Sequence, residues 1–140
     1  SYWQDDAFRR SFRTHGRFDD VLKILLMLYR AQNDGLTLRV KDFRSRINMG
    51  YDELGNLLEK LARHGYVYQG QNGWVLKTNA EHIGLGELFK LFVYHPARTT
   101  QDAVGEAVSR ILTPGLESMN MSLAEFERQT RKEERNGQAV

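Results

Sequence analysis

The stretch YDELGNLLEKLARHGYVYQGQNGWVL, residues 51–76, decides the fold of this chain of 140 residues. Its first half predicts an amphipathic helix that ends at Gly65, because leucines follow the i, i+3, i+4, i+7 spacing at Leu54, Leu57, Leu58 and Leu61. Two β-prone runs follow at 66–69 and 74–77, and Asn72-Gly73 between them best fits a tight hairpin. A two-stranded hairpin is unstable alone in water, so we expect it to pack on the leucine face.

Two helices are predicted upstream of this stretch. The first, Phe18 to Tyr29, is apolar around most of its circumference, so it must be covered on nearly all sides before it ends at Asn33-Asp34-Gly35. A second helix of roughly eight residues is predicted from Val40 to Ile47, and Asn48-Met49-Gly50 separates it from the leucine helix. Helix, helix, short turn, helix and hairpin is the order of a winged helix-turn-helix.

Three more helices are predicted downstream. The first carries Leu85 to Phe92 and stops at His95-Pro96. Thr99 or Thr100 caps the next, whose apolar seam from Ala103 to Leu112 is expected to extend the core before the helix ends at Thr113-Pro114-Gly115. Ser122 and Glu125 form a capping-box pattern for the last helix, and residues 128–140 are expected to fray.

The predicted fold class is therefore mainly α with a small β-hairpin, a winged helix-turn-helix followed by additional C-terminal helices. We expect an N-terminal segment at 1–17, the winged helix at 18–78, C-terminal helices of the same domain at 79–135, and a tail at 136–140. No apolar run reaches the roughly 20 residues that span a bilayer, which predicts a soluble domain. Ser1 in place of a methionine suggests that a longer parent chain was cut.

Composition argues against metal, cofactor and catalytic chemistry. The chain lacks cysteine, and its histidines lie too far apart for a ligand motif: His15, His64, His82 and His95. Acidic neighbours such as Asp52 and Glu53 diverge by about 100° on a helix, so they cannot flank one substrate bond. Gly84 and Gly86 could form a phosphate loop, but the rest of such a signature is missing, which favours a plain helix start. We predict no cofactor and no enzymatic activity for this segment.

Two clusters of positive charge stand out in a chain whose net charge is only +2. The first cluster is N-terminal and comprises Arg9, Arg10, Arg13 and Arg17. The second lies between residues 39 and 46 and comprises Arg39, Lys41, Arg44 and Arg46. Both clusters also fit ordinary helix faces exposed to solvent. For DNA binding, the candidate contacts are Arg39, Lys41, Arg44, Arg46, Asn48 and Tyr51. Asp52 and Glu53 occupy the leading turn of the helix that would read bases, and the loop 70–73 is uncharged, so DNA ranks below a protein partner.

A protein partner or a homo-oligomer fits the aromatic residues better. Trp and Tyr often have one edge buried and one edge in water, so these side chains are divided between core and contact surface. The candidate interaction residues are Tyr2, Trp3, Phe8, Phe12, Tyr66, Tyr68 and Trp74.

Two stretches resemble the DNA-binding domain of Rrf2-type bacterial regulators. They are LLEKLARHGYV at 57–67 and, after the hairpin, IGLGELF at 83–89. The iron–sulfur members of that group use cysteines, so cluster sensing does not carry over to this cysteine-free chain. What the resemblance implies is the winged-helix fold.

A second resemblance covers most of the chain. HGRFDDVLKIL at 15–25, INMGYDEL at 47–54 and ELFKLFVY at 87–94 are similar to the cytoplasmic C-terminal extension of BrkB/YihY-type inner-membrane proteins, long named ribonuclease BN. This resemblance implies a membrane-embedded parent chain with the domain on the cytoplasmic face, and its N-terminal aromatics and arginines near the membrane surface. The ribonuclease name does not transfer, because no catalytic residue of that family matches a position here.

Overall fold

The computed structural model describes the backbone of residues 2–95 and 102–138, and the side chains of residues 17–95 and 102–137. Helices dominate these ranges, together with a short 3-10 turn at Ala80–His82 and one two-stranded hairpin. The elements are α1 (Tyr2–Asn33), α2 (Val40–Arg44), α3 (Tyr51–Arg63), β1 (Val67–Gln69), β2 (Trp74–Leu76), α4 (Leu85–Phe92), α5 (Ala103–Ser118) and α6 (Leu123–Gln138). The predicted fold class is confirmed.

The chain divides into two compact units, Ser1–Val75 and Leu76–Val140. Among the described helices, none has both the length and the apolar character needed to cross a bilayer.

The first unit is built around α3. Its four leucines are at most 2% exposed, and β1 packs against them, as predicted. Between Phe18 and Tyr29, α1 buries residues around most of its circumference, including Val21, Ile24 and Leu25 at 0% exposure, so the burial expected of this stretch is confirmed. Gly50 is the N-cap of α3, and its carbonyl accepts the first hydrogen bond of the helix from the Leu54 N–H at 3.0 Å.

The segment that precedes α2 also pairs with the hairpin, through backbone hydrogen bonds between Leu38 and Trp74 of β2. Leu38 N–H donates to the Trp74 carbonyl at 3.1 Å, and Trp74 N–H donates to the Leu38 carbonyl at 2.7 Å. Gly73 has φ +147° and passes so close to this segment that a Cβ would lie 2.7 Å from the Leu38 oxygen. A residue without a side chain is therefore required at this turn.

Within the second unit, backbone hydrogen bonds connect the start of α4 to the turn that leads into α6. Leu123 N–H donates to the Ile83 carbonyl at 2.8 Å, and Gly84 forms an isolated bridge with Ser122. Ile83, Leu88 and Leu123 are fully buried. The predicted cap of α6 is confirmed, since Ser122 Oγ accepts the Glu125 N–H at 3.1 Å.

Several predicted boundaries are wrong. Helix α1 begins at Tyr2 instead of Phe18, and α2 has five residues because the chain turns after Arg44. Helix α5 begins at a cap supplied by Asp102, whose Oδ1 accepts the Gly105 N–H at 2.8 Å; Thr99 and Thr100 lie outside the described residues. It continues past Pro114 to Ser118.

Local hydrogen bonds explain the two C-terminal extensions. Thr113 Oγ1 donates to the Ser109 carbonyl at 2.7 Å in the turn that Pro114 would otherwise weaken. Helix α6 runs to Gln138 and carries ion pairs one turn apart, Glu125 with Arg128 and Glu127 with Arg131, which support a polar helix. Arg128 also pairs with Glu81, and the hydrogen bonds that its guanidinium donates to Glu125 and Glu81 raise its pKa.

Candidate functional site

The predicted basic cluster forms an exposed surface on α2 and the turn after it. Phe43 and Ile47 anchor this segment, with 0% and 2% exposure. Because the anchors face inward, the cations face solvent, and Lys41 and Arg44 are three positions apart and thus neighbours on one helix side. We call this the basic surface: Arg39, Lys41, Arg44 and Arg46.

Arg44 is the one member of the basic surface that the structure brings onto another candidate residue. Its guanidinium carbon lies 4.9 Å from the centroid of the Tyr51 ring, and its Nε donates to the Met49 carbonyl at 3.4 Å. Tyr51 is 57% exposed, so the pair presents a cation and an aromatic edge to solvent. A guanidinium held over a ring loses less side-chain entropy when it binds an anion.

Negative charge lies directly beside this pair. Asp52 and Glu53 are exposed in the first turn of α3, where carboxylates stabilise the helix dipole. Asp42, next to Lys41 in α2, accepts the Arg39 N–H through Oδ2 at 2.8 Å and so helps to start α2. A ligand that approached both Arg44 and the leading turn of α3 would meet charges of both signs.

The hairpin turn supplies no cation. Gly70 N–H donates to the Gly73 carbonyl at 2.8 Å, and Gln71 and Asn72 between them are exposed and uncharged. Asn48, the remaining candidate for nucleic-acid contact, is also exposed but has no charge to offer.

The predicted aromatic contact residues have different positions. Tyr68 is 57% exposed and Tyr66 is half-buried, so both present surface to a partner. Trp74 is only 6% exposed and belongs to the core; its assignment to a contact surface is therefore wrong. The side chains of the other four, Tyr2, Trp3, Phe8 and Phe12, lie outside the described residues, although their backbone is part of α1.

An apolar surface that the sequence assigned to the core is exposed on α5. Val104, Val108 and Ile111 are 71%, 38% and 77% exposed, so the expectation that this seam extends the core is wrong. With the half-buried Ala107 they follow the i, i+3, i+4, i+7 spacing of a helix-packing face. We call these four residues the α5 stripe. The spacing was visible in the sequence, but no sequence signal says which partner covers the face.

The charged residues of α5 lie outside this stripe, with Glu106 opposite to it and Arg110 at its edge. At 100° per residue, Glu106 projects about 160° from Val104 and Val108, on the opposite side of the helix, whereas Arg110 flanks the stripe, about 60° from Ala107 and 100° from Ile111. The stripe is therefore an uncharged face of a helix whose other side is polar. A second helix could pack on it while the long side chain of the exposed Arg110, at the edge, keeps its charge in solvent.

The glycines at the start of α4 do not form a phosphate cradle. The backbone N–H groups of Leu85 and Gly86 donate to the carbonyls of Met121 and Met119, at 3.0 and 3.1 Å, and are not available to an anion. Gly84 and Gly86 border an open groove of about 610 Å³ whose lining includes Glu81, Glu87 and Glu117. Carboxylates repel phosphate, so the interpretation as a plain helix start holds.

The element order and the hairpin define a winged-helix domain of the kind found in bacterial transcription regulators. The fold matches CymR, the global cysteine regulator of B. subtilis, with a TM-score of 0.63 at 19% identity, covering 79% of this chain and 92% of that one. It also matches IscR of T. potens, with a TM-score of 0.62 at 14% identity, covering 84% and 85%. The predicted likeness to Rrf2-type regulators is confirmed at the level of the fold.

Sequence comparison adds relatives of a different kind. The chain is 62% identical, over 94% of its length, to part of a UPF0761 membrane protein of Neisseria meningitidis serogroup B. It is 40% identical, over 85% of its length, to part of a UPF0761 membrane protein of Chromobacterium violaceum. The chain spans about a third of the length of the curated relatives it matches, 32% and 29% for these two. No family model matches the chain.

The homologues are thus membrane proteins of the predicted BrkB/YihY type, and the fold resembles that of winged-helix regulators.

Proposed function

We propose that this chain is a non-catalytic interaction domain of a bacterial inner-membrane protein, held at the cytoplasmic face, and that it self-associates through the α5 stripe. The observation that carries the proposal is the exposure of Val104 and Ile111, at 71% and 77%, on an uncharged helix face. Burying such side chains is worth about 1.5–3 kcal/mol each, so water-exposed apolar residues at packing spacing favour a partner helix.

A second copy is the occupant that best fits this face. In a two-fold pair the stripe contacts itself, so one uncharged apolar surface is complementary without any further feature. Three exposed side chains offer far less area than the roughly 800 Å² per partner of a stable soluble interface. Copies of a parent chain that share one membrane have a high effective concentration, so a weak interface is sufficient for them.

Cysteine cross-linking tests the pairing directly, because the natural chain has no cysteine. We expect Val108→Cys to form a disulfide-linked dimer when the chain is attached through its N-terminus to vesicles. Glu106→Cys, on the opposite side of the same helix, is the matched control and is expected to cross-link much less. Equal cross-linking at the two positions, or none at Val108→Cys, would contradict self-association through α5.

Duplex DNA binding is the second candidate, favoured by Arg44 held on Tyr51 at the entry to α3. The contacts would be the basic surface with Asn48 and Tyr51. DNA binding ranks second because Asp52 and Glu53 are exposed in the first turn of α3, which would face the bases, and because the hairpin turn has no cation. Duplex affinity that falls steeply with salt and disappears in the double variant Arg44→Glu, Arg46→Glu would favour DNA, whereas pairing through α5 responds little to salt.

A further inference from the structure

We propose that the basic surface binds anionic phospholipid headgroups of the membrane that holds the parent chain. This inference shares with the proposed function only the membrane-bound parent, and it does not require self-association. It assigns a ligand to Arg39, Lys41, Arg44 and Arg46, which the α5 stripe leaves without a role.

The basic surface is a local excess of positive charge, one of the two such clusters in the sequence. Residues 39–46 carry a net charge of +3, whereas the whole chain carries only +2. All four cations are exposed, and the buried Phe43 and Ile47 fix the segment that bears them. A rigid, exposed patch of this kind attracts a dense array of phosphates at short range, within the Debye length of about 8 Å at physiological salt.

The neighbouring charges favour a lipid surface over a duplex. A duplex that followed the helix-turn-helix geometry would be a rigid rod lying against the leading turn of α3, where Asp52 and Glu53 are exposed. A headgroup layer is fluid, so anionic lipids can gather under the basic surface and leave the region under the carboxylates. The side chain of Tyr51, 57% exposed beside Arg44, also suits the membrane interface, where an aromatic ring has both apolar and polar surroundings.

The expected strength is modest and suits a tethered domain. Each Lys or Arg near an anionic surface contributes roughly a fivefold gain in binding, so removing two should weaken binding about 25-fold. Binding of the free chain is then weak, but a domain whose parent is anchored in the same membrane samples that surface at high effective concentration.

Vesicle sedimentation of the 140-residue chain tests this proposal. We expect binding to vesicles of phosphatidylglycerol with phosphatidylcholine, loss of binding on pure phosphatidylcholine, and weakening as salt rises. The double variant Arg39→Ala, Arg46→Ala should bind about 25-fold less. The matched control, Arg110→Ala with Lys132→Ala, removes the same charge from exposed positions of α5 and α6 and should bind as the natural chain does. Circular dichroism checks that each variant is folded.

Four results would overturn the proposal. The first is no preference for anionic vesicles, and the second is an equal loss in the control variant. The third is unchanged binding of Arg39→Ala, Arg46→Ala, which would assign the interaction to the N-terminal arginines instead. The fourth is a short DNA duplex that displaces the chain from vesicles at equal phosphate concentration, which would identify the basic surface as a nucleic-acid site.

Discussion

Helices α3 and α5 carry apolar stripes with the same i, i+3, i+4, i+7 spacing, but only the stripe of α3 is buried. The leucines of α3 are at most 2% exposed, because β1 and α2 pack against that helix. On α5, Val104 and Ile111 remain 71% and 77% exposed. The difference teaches that periodicity predicts a helix and the direction of its apolar face, whereas the partner of that face depends on the rest of the fold or on another molecule.

The largest effect is expected in the core of α3. Leu58 is fully buried, so Leu58→Ala removes apolar contacts and leaves a cavity. We expect the free energy of unfolding to fall by about 2–5 kcal/mol. Urea unfolding followed by tryptophan fluorescence measures it, since Trp74 lies in the hairpin of the same unit. A change below about 0.5 kcal/mol would contradict a close-packed α3 stripe.

An intermediate effect is expected at the turn of the hairpin that covers α3. Gly73→Ala would place a Cβ 2.7 Å from the Leu38 oxygen at φ +147°, so the turn or the Leu38 segment must shift. We expect a loss of about 1–3 kcal/mol in the free energy of unfolding. Gly55→Ala is the control, since a Cβ there meets nothing within 4 Å and alanine favours a helix. The control should leave the free energy of unfolding unchanged or raise it by up to about 1 kcal/mol. Equal losses in both variants would contradict the steric explanation.

The elements of the fold were predictable where a local pattern has one physical meaning. Four leucines at helical spacing and Asn72-Gly73 between β-prone runs specify α3 and the hairpin, and both are present. The ends of the helices were less predictable. Pro114 signals a stop, but a threonine hydroxyl bond in the same turn accompanies continuation of α5 to Ser118. Polar residues after Arg128 suggested fraying, but ion pairs one turn apart accompany the extension of α6 to Gln138.

The candidate surfaces were predictable as residue types but not as surfaces. The cluster of cations at 39–46 was visible, and its exposure follows from the single anchored face of α2. The sequence could not show that Arg44 lies on Tyr51, because that contact depends on the turn between α2 and α3. Tryptophan is a residue type common at contact surfaces, and the position of Trp74 in the core follows from its pairing with Leu38, which the sequence does not reveal.

The smallest effect on stability is expected at Ile111, and it tests the comparison from the other side. Ile111 is 77% exposed, and isoleucine and serine have similar helix propensities, so Ile111→Ser should change the free energy of unfolding of the dilute chain by less than about 0.5 kcal/mol. The same substitution should reduce cross-linking of Val108→Cys on vesicles, because it removes an apolar neighbour one turn along the stripe. Urea unfolding at low micromolar concentration, beside Leu58→Ala, provides the measurement. A loss above about 1 kcal/mol in the dilute chain would mean that α5 already has an intramolecular partner, and the contrast between the two stripes would then disappear.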